Sequence, residues 1–200
     1  PIADDVTITE VSGTNATFEL ADGRSYVIEL GTDYEIATAA INVAADTEKT
    51  VIVNTSVTGL TNAGTIKTLY VTENGDLTIS AAVGESVDAI INDGTLAVNG
   101  NLTSEAFVNN GKLSVSATVT GGIENNGVIN VTNAAAIFDV IAGEGTVNLP
   151  KANAAAAFTV NPEQTVVYQI GGDFTKDDLT KAKNLGYINA VSGDALTIVG

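Results

Sequence analysis

The chain has 200 residues, 44% of them apolar, and a formal charge of −16 from 8 basic and 24 acidic side chains. It contains no Cys and no His, which removes disulfides, the usual zinc sites, and nucleophile systems that need a thiolate or an imidazole base. The negative field repels nucleic acid and anionic lipid, no apolar run is long enough to span a membrane, and a charged fraction of 16% is too low for wholesale disorder.

The first sixty residues alternate with period two. Val6-Thr7-Ile8-Thr9-Glu10-Val11 is a strand, as are Ala16 to Leu20 and Ser25 to Leu30. Asp22-Gly23 between the last two predicts a hairpin joining them. Tyr34 to Ala45 fits a short helix and a strand equally, and Thr50-Val51-Ile52-Val53 is a further short strand. Met is absent, so Pro1 is expected to mark a processed start or an excised piece, and no basic, apolar leader opens the chain.

From about residue 60 a pattern recurs: Asn-x-Gly-x-apolar-x-apolar. Its clearest copies are Asn92 to Val98, Asn109 to Val115 and Asn125 to Val131, with a weaker copy from Gly143 to Leu149 and an earlier one at Glu73 to Ile79. The glycines fall at Gly75, Gly94, Gly111, Gly127 and Gly145, in steps of 19, 17, 16 and 18 residues. Such steps are short for helical repeats and propeller blades and suit one coil of a β-solenoid. The second and fourth residues after each Gly are apolar, as in Leu96 and Val98 or Leu113 and Val115, and the first and third are mostly small or polar. That alternation sends one set inward and the other to water. Each Gly is expected to supply a positive φ at a corner, and Asn92, Asn109 and Asn125 to tolerate the left-handed region there and bond along the stack. The same Asn-Gly steps, at Asn74, Asn110 and Asn126, are also hairpin signals, so an antiparallel sandwich or meander barrel is the alternative.

The C-terminal part changes character. Ala134 to Ala136 and Ala154 to Ala157 are locally helix-favouring and read equally as small interior residues of a narrow solenoid, and Thr165 to Ile170 reads as a strand. Thr175 with Asp178 makes a capping box for a helix over 176 to 185, closed by Gly186. Tyr187 to Val191 and Ala195 to Val199 read as a hairpin. The domain reading is an N-terminal hairpin cap over 1–58, a repetitive solenoid over 59–160, and a strand-helix-hairpin cap over 161–200.

The repeat copies at 92–98, 109–115 and 125–131 resemble the coils of parallel β-helix surface proteins of prokaryotes, such as the passenger domains of autotransporter adhesins. The resemblance covers roughly residues 60–150 and is one of pattern. It implies an elongated extracellular scaffold and transfers no catalytic residue. The expected fold is therefore all-β: a parallel β-solenoid with flanking antiparallel hairpins and one short C-terminal helix.

Carboxylates are the remaining candidates for chemistry. Asp93, Glu105, Glu124, Asp139 and Glu144 lie among the repeats, but one Arg and few aromatics make a polysaccharide-cleaving dyad a poor fit. For calcium, Asp173, Asp177 and Asp178 and the pair Asp4-Asp5 are close in sequence, without any calcium-loop pattern. Asp177 and Asp178 are better explained by the positive end of the predicted helix. Sequons occur at Asn15, Asn54, Asn101 and Asn130, about what chance gives for this composition. No phosphate loop, dinucleotide fingerprint or basic patch is present.

The expectation is a non-enzymatic structural protein of the cell exterior without a cofactor: a self-assembling subunit of a filament, sheath or surface layer, or an adhesin stalk. Its partners would be itself or other surface components. The alternative is a polysaccharide-binding or polysaccharide-cleaving module. Strand exchange is expected through Val6, Ile8 and Val11 at one end and Leu196 and Ile198 at the other.

Overall fold

The computed structural model describes residues 6–12, 15–20, 26–29, 38–43, 49–62, 65–80, 87–133, 136–150, 159–160, 165–169 and 197–199. Every regular element among them is a strand. In chain order they are β1 (Val6–Ser12), β2 (Asn15–Leu20), β3 (Tyr26–Ile28), β4 (Thr38–Val43), β5 (Lys49–Val53), β6 (Ser56–Val57) and β7 (Gly59–Asn62). There follow β8 (Ile66–Val71), β9 (Asp76–Ile79), β10 (Val87–Asn92), β11 (Thr95–Val98), β12 (Leu102–Asn109), β13 (Lys112–Val115) and β14 (Thr118–Thr120). The remainder are β15 (Ile123–Asn125), β16 (Val128–Val131), β17 (Ile137–Phe138), β18 (Val140–Ala142), β19 (Thr146–Pro150), β20 (Thr159–Val160), β21 (Thr165–Gln169) and β22 (Thr197–Val199).

These strands stack into a parallel β-solenoid of about five turns. One ladder runs β3-β5-β8-β10-β12-β15-β18-β20, and a second runs β6-β9-β11-β13-β16-β19-β21-β22. The climbs from β10 to β11, from β12 to β13 and from β15 to β16 pass from the first ladder to the second through Asn-x-Gly corners. A third side is built by β1-β2-β4-β7 at one end and by β14 and β17 on β12 further along. β12 serves two sides: Leu102 and Thr103 pair with β14, whereas Phe107 to Asn109 pair with β15.

The parallel pairing rules out the antiparallel meander. Leu77, Leu96, Leu113, Ile129 and Val147 stack in register and are fully buried. On the facing ladder Tyr26, Val51, Leu69, Ile90, Phe107, Ile123 and Ile141 do the same. Each such side chain contributes about 1.5–3 kcal/mol on burial. A slip of one residue would turn a whole row into water, so the alternation after each Gly also fixes the register.

Three expectations need correction. The first antiparallel pair is β1 with β2, Val6 facing Leu20, and not the segments on either side of Asp22-Gly23. β3 instead pairs in parallel with β5, where Tyr26 and Ile28 are buried beside Val51 and Val53. Burying two large apolar groups outweighs a local turn preference. Second, the Asn-Gly steps do not close hairpins; they join strands of different ladders. Third, none of Gly75, Gly94, Gly111, Gly127 and Gly145 has a positive φ; among the described glycines Gly121 (φ 104) and Gly143 (φ 93), the latter in the place that Asn holds in the clearer copies, do.

The corner glycines are required by close approach instead. A Cβ on Gly111 would lie 2.1 Å from the Gly94 carbonyl oxygen, and one on Gly127 2.2 Å from that of Gly111. The cause is the hydrogen bonding between turns. The Lys112 amide donates to the Gly94 oxygen at 2.8 Å and the Val128 amide to the Gly111 oxygen at 2.9 Å, drawing each corner onto the one before.

Of the ambiguous stretch 34–45, residues 38–43 form a strand and the rest lies outside the described residues. Ala136 is buried. Ala134 and Ala135, Ala154 to Ala157, the predicted helix over 176–185 and residues 187–196 lie outside the described residues. The last strand, Thr197–Val199, pairs in parallel with β21.

Candidate functional site

Two polar rows follow the corner between the ladders. The inner row is Asn92, Asn109 and Asn125, the last residues of β10, β12 and β15, all 0% exposed. Asn92 Nδ2 donates to Asn109 Oδ1 and Asn109 Nδ2 to Asn125 Oδ1, each at 2.7 Å. Their amides also reach backbone carbonyls of second-ladder strands one turn further on: Asn92 to Lys112 O at 3.0 Å and Asn125 to Thr146 O at 3.2 Å. The row continues an apolar one, since Val71 stacks on Asn92 and Val53 on Val71. Where it meets Val71 it ends on a buried oxygen, Asn92 Oδ1, which has no hydrogen-bond partner.

The outer row lies one residue further on. Asn54 donates to Glu29 Oε1 at 3.3 Å and accepts from the Thr72 hydroxyl. Asn110 Nδ2 donates to Asp93 Oδ1 at 2.8 Å, and Asn126 Nδ2 to Asn110 Oδ1 at 3.2 Å. Asp93 also accepts the Tyr70 hydroxyl at 2.8 Å on its other oxygen. That hydrogen bond, with partial desolvation and the nearby charges of Asp93 and Glu73, holds the Tyr70 phenol above its ordinary pKa. Removing its proton would break the bond and add a third negative charge.

The candidate carboxylates do not share a site. Asp93 belongs to the outer corner row. Glu105 and Glu124 point outward from the first ladder, at the levels of Asp88 and Val108 respectively. Asp139 Oδ2 accepts the Gly121 amide at 2.8 Å. Glu144 is exposed in the last corner. No group of three or more acidic residues that could hold a metal ion occurs among the described residues. Asp4, Asp5, Asp173, Asp177 and Asp178 lie outside them. No helix among the described residues is long and apolar enough to cross a membrane. β1 and β22, which carry Val6, Ile8, Val11 and Ile198, stand at the edges of their sheets, and Leu196 lies outside the described residues.

The two outer faces differ sharply. Outside the second ladder the rows are polar: Thr78, Ala97, Ser114, Asn130 and Asn148 in one, with Asn148 donating to Asn130 Oδ1 at 2.6 Å. Outside the first ladder an apolar stripe runs through Val27, Ile52, Tyr70, Ile91 and Val108. Ile91 is 36% exposed. A second row beside it passes Ala89, Ala106, Gly122 and Val140, the last 45% exposed. Because Gly122 has no side chain, a notch opens between Ala106 and Val140, and a groove of about 270 Å³ forms there with Glu124 on its wall. This face was missed in the pattern reading. Its signal is the uninterrupted apolar triple at Val51-Ile52-Val53, Leu69-Tyr70-Val71 and Ala106-Phe107-Val108, where alternation lapses.

Comparison of the chain with known protein families, curated proteins and solved structures finds no match.

Proposed function

We propose that this chain is a non-enzymatic, self-assembling structural protein of the cell exterior, a subunit of a surface filament, sheath or surface layer, or a segment of an adhesin stalk. The observation that carries the reading is the edge position of β1 and β22 in their sheets among the described residues. Edge strands, whether antiparallel like β1 or parallel like β22, present unpaired main-chain groups that a strand of another copy can satisfy. Each main-chain hydrogen bond so formed contributes about 1 kcal/mol net. The regular polar exterior of the second ladder and the dense corner hydrogen bonding suit a rigid, exposed scaffold. The polysaccharide alternative calls for exposed aromatics beside paired acids; among the described side chains Tyr70 is the one aromatic that is not buried, and it stands alone.

Electron microscopy of the purified chain, full length and with residues 1–11 deleted, tests the proposal. Ordered filaments or sheets from the full chain and folded monomers from the deletion are expected. Equal assembly by both would show that β1 is not the link, and monomers from the full chain at all concentrations would overturn the proposal.

A further inference from the structure

We propose that the outer face of the first ladder docks a cationic, amphipathic segment of a different polypeptide. This goes beyond association of identical chains and does not depend on it.

The face has the length, polarity and charge for such a guest. From Val27 to Val108 the apolar stripe makes four steps, ~19 Å at ~4.8 Å per step. An extended segment of about six residues covers that length. Apolar side chains of the guest would lie on Ile91 and Val108 and enter the notch above Gly122 beside Val140. An isolated exposed Ile or Val needs no explanation, but an in-register apolar stripe on an otherwise polar exterior does.

Charge selects the guest. Carboxylates flank and end the stripe: Glu73 and Asp93 act together on Tyr70 at the corner, and Glu124 follows Val108 in the same row and walls the groove. On the far side Glu105 stands exposed next to Asp88, whose charge is met by Lys67 Nζ at 3.6 Å. A Lys or Arg of the guest would meet the Tyr70 ring and the two carboxylates behind it, combining cation–π and ionic attraction. A second copy, itself at −16, would bring like charge to the same border.

The test measures binding of three synthetic peptides of equal length to the full chain by fluorescence anisotropy: alternating Lys-Leu, alternating Glu-Leu and alternating Lys-Ser. Saturable binding of Lys-Leu is expected, weakened by salt, with Glu-Leu and Lys-Ser at least about tenfold weaker. The variant Ile91→Thr with Val108→Thr keeps β-branched residues at both outward positions. It should lose about tenfold in Lys-Leu affinity while its circular dichroism and melting stay unchanged. Glu105→Gln with Glu124→Gln should reduce both the affinity and its salt dependence. Equal binding of Lys-Leu and Lys-Ser, or undiminished binding by the Thr variant, would overturn the proposal. So would concentration-dependent dimers of the unliganded chain that the Thr variant abolishes, because the occupant would then be a second copy.

Discussion

Replacing Asn109 by Val separates a cooperative row from three independent amides. Asn109 sits in the middle, accepting from Asn92 and donating to Asn125 at 2.7 Å on both sides. Asn109→Val removes both bonds at about 1 kcal/mol each and leaves two buried polar groups of its neighbours short of a partner, at about 1 kcal/mol or more apiece. The expected loss is about 3–5 kcal/mol. Asn92→Val acts at the end of the row. It removes the bonds to Asn109 Oδ1 and to Lys112 O together with the oxygen that already has no partner, Asn92 Oδ1, whose loss offsets part of the cost, while passing that vacancy to Asn109 Oδ1. Its cost should be nearer 1–2 kcal/mol. The triple change of Asn92, Asn109 and Asn125 to Val extends the apolar row already made by Val53 and Val71, and removes donors and acceptors together. It should therefore cost far less than the three single changes summed. Urea unfolding followed by circular dichroism gives the comparison. A triple variant whose loss equals that sum, or an Asn92→Val loss as large as that of Asn109→Val, would refute the cooperative account.

Gly111→Ala should cost several kcal/mol, because its Cβ would meet the Gly94 carbonyl at 2.1 Å, whereas Gly122→Ala, with nothing nearer than 3.9 Å, should be close to neutral; melting temperatures of the two decide it. Tyr70 should titrate above its ordinary value, seen as the ultraviolet tyrosinate signal lost in Tyr70→Phe, and Asp93→Asn should move it down. Since the folded pKa is raised, the stability linked to Tyr70 is fully present below its unfolded value of 10.0 and is lost as pH climbs through the folded one. Tyr70→Phe should flatten that alkaline decline in unfolding midpoints. A broad polysaccharide screen should show no turnover, and turnover abolished by Glu124→Gln would reverse the non-enzymatic reading.

The solenoid was legible because one signal repeats. In each copy the second and fourth residues after the glycine are apolar, and Leu96 and Val98 keep the phase of Leu113 and Val115. The role of the corner residues was harder to read. Gly and Asn both favour turns locally, so Asn92 looked like a turn residue, whereas it ends a strand facing inward. No local preference reveals that a backbone will pass within hydrogen-bonding distance on the next turn, which is why Gly111 must lack a Cβ. The Asp22-Gly23 reading failed for the same reason: the partner of Tyr26 is Val51, beyond the reach of any turn rule. The apolar exterior stripe was hidden by the alternation itself, since Ile91 between Ile90 and Asn92 reads as a doubled core position.

The double duty of β12 has a consequence for how such a chain can change length. From each Asn through the strand that follows, the spacing is constant in the copies starting at Asn92, Asn109 and Asn125. The return path, from Val98 to Asn109 or from Val115 to Asn125, absorbs the differences between turns. Unequal duplication or loss of a whole turn would leave both ladders matched and alter only the height of the column. Small insertions have a natural home on the third side, where β14 and β17 attach as short branches. A gene encoding this architecture can thus lengthen or shorten its product by recombination between copies, with no other part of the protein having to adapt.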